Sequence, residues 1–216
     1  MKTKLLLALA ASVSGALLHA AAPTQAAGCD ACAAEAKPAA EKSCCTEEKA
    51  TAPLTTRSLY QLDATWTNDA GASVQLAALR GEPVVLAMFF ASCEYACPLI
   101  VDDMKRLGAM LPTGVREKTH FLLVSFDTAR DTPAALKAYR ERMKLDGAWT
   151  LLHGDAANVQ ELAMLLGVKF KQDARGQFSH SNLITVLNTQ GEIAHQRAGL
   201  MGDVSEAAKA VMTVAK

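Results

Sequence analysis

Seven consecutive apolar residues, VVLAMFF at 84–90, stand between a Gly81/Pro83 break and a pair of cysteines at 93 and 97. Apolar side chains at every position leave neither face for water. The run is also short, so it reads as a strand buried in the middle of a covered sheet. The segments after it suit that setting. CPLIVDDMKRLGAML has helical apolar spacing (Leu99, Ile100, Met104, Leu107, Leu111), and HFLLVSFD at 120–127 is a second buried strand. Thr132-Pro133 opens the next helix, with Thr132 as N-cap and Pro133 at the first helical position. WTLLHG is strand-like, DAANVQELAMLLGV is amphipathic, and NLITVLNTQGEIAHQ reads as two strands around a Gln190-Gly191 turn. SEAAKAVMTVAK closes the chain as a helix, while SLYQLDATWTND and ASVQLAALRG upstream suggest a short hairpin and an edge element. The order predicts an α/β layer: a central mixed sheet with a parallel central pair, flanked by helices, with an N-terminal hairpin extension.

The first residues address compartment. Lys2 and Lys4 precede the apolar run LLLALAASVSGALL, and small residues follow, with cleavage-like sites ending at Ala20, Ala22 or Ala27. Basic start, short apolar run and small-residue exit predict a signal peptide over 1–27, and hence an exported, periplasmic protein. A lipid anchor on Cys29 is disfavoured: the usual Leu is missing three positions back, and Gln25 intrudes. Residues 28–55, rich in Ala, Glu, Lys and Pro, show no core-forming period and read as a tether spanning roughly 30 Å if fully flexible. That leaves 56–216, about 160 residues, as one well-buried domain. Without the two leader lysines the chain carries 20 basic against 22 acidic residues, a balance that points away from nucleic acid or other polyanions. The eight methionines are scattered among core positions, as packing residues are.

Six cysteines in an exported chain would ordinarily form a disulfide framework. Here they fall into three local pairs, Cys29/Cys32, Cys44/Cys45 and Cys93/Cys97, and bridges closing such small loops constrain an unfolded chain little. Local pairs suit redox switches and metal sites. At i,i+4 on a helical turn Cys93 and Cys97 share a face, with Cβ atoms roughly 5–6 Å apart. They could close a disulfide after adjustment or grip one soft ion, and spacing alone does not choose. The tether cysteines read as exposed local disulfides or adventitious thiols, with an auxiliary metal or redox segment as the alternative.

A strand, a thiol pair at its C-terminal end, a helix and a later hairpin together resemble the thioredoxin fold. Thioredoxin-like oxidoreductases carry a cis-proline at the start of that hairpin, whereas this chain has no proline after Pro133. The loop entering the hairpin, DARGQFSHSNLITV, offers His180 instead. Two thiolates and one imidazole form a compact soft set that suits copper, especially Cu(I). Zinc, the chemical rival, wants a fourth ligand in a closed structural site.

Three segments resemble the Sco/SenC copper proteins: CEYACP (93–98) matches their CxxxCP motif, SFDTARDTP (125–133) their S-x-D-x-x-R-D-T-P segment, and FSHS (178–181) their histidine loop. The resemblance covers roughly 56–216. It implies a thioredoxin-like domain binding Cu(I) or Cu(II) through Cys93, Cys97 and His180. It also implies a role in assembling the binuclear copper centre of cytochrome c oxidase. The partner would be the oxidase copper-centre subunit or another periplasmic copper chaperone, met as a monomer. One departure is Ser179, where many members have an Asp before the histidine; a carboxylate that could support the ligand is thereby removed. Asp127, ending its strand, is the candidate for that supporting role, and Asp131 is read as helping to start the helix at Pro133. Glu94 and Tyr95 would shape the site without ligating, and His120, His153 and His195 read as structural. The alternative function is a thiol:disulfide reductase with Cys93 and Cys97 as its redox pair. A thiol peroxidase is disfavoured, because FASC lacks the Thr pattern that activates a lone cysteine.

Overall fold

A computed structural model describes residues 53–216. The expected signal peptide, and nearly all of the expected tether with Cys29, Cys32, Cys44 and Cys45, lie outside the described residues. The VVLAMFF run forms β3 (Val84–Phe89), buried at every position, and pairs in parallel with β4 (His120–Ser125), Val84 opposite His120 through Phe89 opposite Ser125. On its other side β3 pairs antiparallel with β8 (Leu183–Leu187), which in turn pairs with β9 (Ile193–Ala198). β5 (Trp149–His153) adds in parallel beyond β4, and the predicted N-terminal hairpin, β1 (Trp66–Asn68) with β2 (Ser73–Val74), extends the sheet past β5. The resulting seven-stranded mixed sheet runs β2-β1-β5-β4-β3-β8-β9 and is thioredoxin-like.

Helices α1 (Ala96–Met110), α3 (Pro133–Met143), α4 (Ala156–Leu166) and α5 (Ser205–Val214) flank the sheet, with a one-turn α2 (Thr113–Arg116) after α1. Phe89 and Phe121 lie on one face of the sheet, since Val85 is paired with Phe121 and side chains alternate. Tyr139 of α3 meets Phe89 there, with ring centroids 4.9 Å apart. Gly108 lets α1 close onto Phe121: a Cβ at 108 would stand 2.9 Å from the ring tip. The caps follow the sequence reading. Thr132 accepts from the Ala135 amide with Pro133 behind it, Asp155 caps α4, and Gly167 ends α4 at φ 72°.

Two elements depart from expectation. The segment read as a loop entering the last hairpin is itself a hairpin, β6 (Phe170–Gln172) with β7 (Phe178–His180), forming a second sheet of two strands. A turn closed by Gly176 N–H on the Asp173 carbonyl (3.0 Å) joins them, and Ser181 N–H bonds the Lys169 carbonyl (2.8 Å) at the open end. The sequence signal was a brief alternation, Phe170/Gln172 and Phe178/His180, too short to register as a period. The last residue of the expected tether is also tied down: Thr55 bonds Glu192, as does Arg57, and Ser58 Oγ bonds the Gln190 carbonyl. Those contacts sit beside the β8–β9 turn, at the end of β3 opposite the cysteines.

Candidate metal centre

β3 delivers the thiols. Buried Phe90 and Ala91 continue the strand, a Cys93 N–H to Phe90 carbonyl bond (3.1 Å) turns the chain, and α1 begins at Ala96. Cys97 lies in the first helical turn with no exposed surface, while Cys93 precedes the helix and is partly exposed; both are free thiols. Tyr95, at the N-cap, makes no side-chain cap bond, and the Cys97 amide instead donates to Cys93 Sγ (3.4 Å). A sulfur thus occupies the place of a capping oxygen, where first-turn amides favour negative charge.

β7 delivers the imidazole. His180 Nδ1 lies 3.1 Å from the Ser181 carbonyl oxygen, to which it donates, leaving Nε2 aimed at the sulfurs, 3.9 Å from Cys97 Sγ. That bond orients the ring without the carboxylate that Ser179 lacks. Phe126 (centroids 5.0 Å apart) and Phe90 (6.0 Å, edge-on) hold the ring from two sides. One ligand atom each from Cys93, Cys97 and His180 lies within 4.8 Å of the others; among the described residues this is the one such cluster of His, Cys, Asp and Glu. A metal with sulfur bonds near 2.3 Å would hold such donors roughly 3.5–4 Å apart, so the set fits a soft ion after small movements.

The two sulfurs are electrostatically unequal. The hydrogen bond from the Cys97 thiol, reinforced by His180 and by the Cys97 and Tyr95 amides, lowers the Cys93 pKa to about 3 against the cost of burial. The same bond, followed by burial, drives the Cys97 thiol far upward. The pair is thus polarised, with Cys93 the more readily ionised sulfur and Cys97 the less. Cys93 and His180 border an open cleft of about 620 Å³, with Glu94, Tyr95 and Asn182 also in its walls. Tyr95 is 74% exposed between the two thiols, so it borders the site and does not bury it.

Asp127 is buried, but its carboxylate goes to Arg130, accepting from Nε and from the Arg130 amide (3.2 Å); it bonds none of the three cluster residues. Asp131 also bonds no ligand directly, but it lies closer to the thiol segment. Rather than starting α3, which Thr132 caps, its buried carboxylate accepts from the Ala91 amide (2.8 Å) and from Ser125 Oγ, holding the backbone two residues before Cys93. Burial pushes this carboxyl above the ordinary carboxylate range. Sequence reasoning gave Asp131 the wrong job and passed over Arg130, Phe126 and Phe178, although all lie in the two segments quoted beside the cysteine motif. Of the other histidines, His120 pairs with Glu82 at the far end of β3, His153 sits on β5 with Nδ1 buried and unpartnered, and His195 is on β9.

Comparison with known proteins agrees with this architecture. The SCO1/SenC family model matches residues 53–216. A protein of Stutzerimonas stutzeri named "Putative copper-binding protein" is 31% identical over 152 residues, 68% of this chain and 72% of that one. A SCO1/SenC family lipoprotein from Bacillus anthracis superposes with a TM-score of 0.64 at 20% identity, over 70% of this chain and 92% of that one. ScoI of Bradyrhizobium japonicum, solved with copper bound, gives 0.57 at 23% identity (70% and 96%), and yeast Sco1 with copper bound 0.59 at 20% (69% and 84%). With a family match over the whole described domain, and the cysteine and histidine segments meeting at one cleft, the chain belongs to the SCO1/SenC family.

Proposed function

We propose that this protein is an exported, periplasmic metallochaperone that binds one copper through Cys93, Cys97 and His180 and delivers it to, or prepares, the binuclear copper centre of cytochrome c oxidase. The observation that carries this reading is the approach of two thiols and one imidazole nitrogen to within 4.8 Å of one another, with Cys93 and His180 in the wall of an open cleft. Two sulfurs and a nitrogen suit copper in either oxidation state, thiolates favouring Cu(I) and imidazole extending the site to Cu(II). Three donors, two of them (Cys93 and His180) in the wall of an open cleft, leave room for a partner's ligands to add before the protein's own let go, as transfer by ligand exchange requires. Copper-bound relatives of the same fold support the choice of metal, and one structural relative, 21% identical, is described as a member of the Sco family of cytochrome c oxidase assembly proteins. The basic and apolar first residues support export. The partner is the oxidase copper-centre subunit or another periplasmic copper chaperone, met by a monomer.

The test is copper titration of the reduced protein with Cys29, Cys32, Cys44 and Cys45 replaced by serine. One saturable copper per chain is expected, abolished by oxidation to a Cys93–Cys97 disulfide and restored by reduction. Absence of saturable binding by the reduced protein would overturn the reading.

The inequality of the thiols supports a second function, reduction of a partner's copper-binding cysteines. Cys93, a partly exposed thiolate, would attack the partner disulfide and expel one partner thiolate; Cys97 would then lose its proton, attack Cys93 Sγ and release the second. The partner gains the two electrons that this protein's pair loses. His180→Ala separates the functions, since exchange needs only the sulfurs. Normal oxidase assembly with this variant, at unchanged protein level and without added copper, would favour the reductase.

A further inference from the structure

His180 stands on a hairpin that shares no strand ladder with the main sheet, whereas the cysteines stand on the central strand and its helix. Something must hold the two halves in register, and the end of β4 with the connection to α3, residues 125–131, touches both. At one end Asp131 accepts from the Ala91 amide (2.8 Å), two residues before Cys93. Ser125 Oγ donates to Asp131 and accepts from the Asp127 amide (3.0 Å). Asp127 in turn holds Arg130 through its side-chain Nε and its backbone amide. At the other end the Arg130 guanidinium donates to the Gly176 carbonyl in the β6–β7 turn and lies 5.9 Å over the Phe178 ring. Between the two ends Phe126 stacks on Phe170 (5.1 Å, 13° between planes) and meets both Phe178 and His180 at 5.0 Å.

We propose that this connection is a brace setting the spacing between the sulfur and nitrogen donors, with Arg130 as the positioning residue for His180; the copper part of the claim rests on the function proposed above. The chemistry suits the task. Asp127 is 1% exposed and requires a partner, so its carboxylate fixes one edge of a planar guanidinium and leaves the other edge pointed at the hairpin. Only the carboxylate of this pair is buried, the arginine side chain being 40% exposed, so the pair is weak evidence for stability and its geometry is what matters here. It also explains why Asp127 is buried beside the site without contacting a ligand.

The experiment uses the full chain with its four N-terminal cysteines replaced by serine, comparing Arg130→Met with the parent. In the metal-free protein, amide exchange over 170–180 should rise about tenfold or more while β3 and β4 are unchanged, as expected for local opening. Cu(II) affinity should fall about tenfold, the usual scale for losing a residue that orients a ligand, with weakened nitrogen coupling in the Cu(II) spectrum and unchanged alkylation of Cys93. Arg130→Lys, which keeps Asp127 partnered but lacks the planar fork, should lie between them and covers the case in which Arg130→Met does not fold. Unchanged exchange in either folded variant overturns the brace. Faster exchange with unaltered Cu(II) binding overturns the link to His180. A parent that binds no copper removes the function, while the exchange measurement still decides whether Arg130 holds the hairpin.

Discussion

Cys97 stands in the first turn of a helix packed on the central strands, without exposed surface, and Cys93 is held to it by a backbone N–H to sulfur bond. His180 stands at the end of a three-residue strand in a satellite hairpin, partly exposed, held by one carbonyl, an aromatic cluster and a polar relay. The sulfur half inherits the rigidity of the core, because moving it means moving β3 or α1. The nitrogen half stands on strands that share no ladder with the main sheet. The two kinds of donor are therefore supported by different parts of the fold, the sulfurs by the core and the nitrogen by the satellite hairpin.

The largest effect that could break this comparison is Cys97→Ser. Losing one sulfur should weaken Cu(I) binding on the order of a thousandfold, one ligand's share of a metal-binding free energy of this class. Competition against a calibrated Cu(I) chelator measures it, and an effect no greater than that of losing the imidazole would mean that the sulfurs are not the principal anchor. His180→Ala comes next. Cu(II) affinity should fall about a hundredfold and Cu(I) only about tenfold, since two thiolates alone satisfy Cu(I). Equal losses for both oxidation states, by the same competition assay, would erase the distinction between halves.

Protons sharpen the comparison further. With the Cys93 pKa near 3 and that of Cys97 driven upward, one sulfur is already a thiolate at neutral pH, so seating copper between both should expel about one proton from the pair. Between pH 7 and 8.5 affinity should therefore rise with pH, about tenfold per unit, and fall as the pH drops. Calorimetry in buffers of different ionisation enthalpy counts the proton; a count of zero or two would show that the pair is not polarised as described. The smallest effect belongs to a position remote from both halves. Asp155→Ala removes the α4 N-cap and should cost about 1 kcal/mol, lowering the melting midpoint by roughly 2–4 °C, with copper affinity unmoved. A change in affinity would mean that α4 takes part in holding the site.

Much of this molecule is determined by its sequence alone, and the reason is range. The apolar run at 84–90, the periodic helices, Thr132-Pro133 and the Gln190-Gly191 turn act through neighbours a few residues apart, so local chemistry sufficed to place the central strand, the parallel pair and the two thiols at a strand end. The imidazole was reached through its place in the loop ahead of the last hairpin, read against the thioredoxin fold, and through its resemblance to a family segment, not through any local period. The contact of His180 with Cys97 spans 83 positions and exists only once β8 pairs with β3 and the preceding hairpin folds over the cleft. The partners of Asp127 and Asp131 belong to tertiary structure for the same reason. Both carboxylates are buried near a strand end, and nothing within four residues tells which will meet the Ala91 amide, 40 positions away, and which will meet an arginine that reaches the hairpin. The unequal thiols are likewise a product of the fold, because residue spacing treats Cys93 and Cys97 alike, while the packing of α1 against the sheet buries one and leaves the other beside helix amides and open to the cleft.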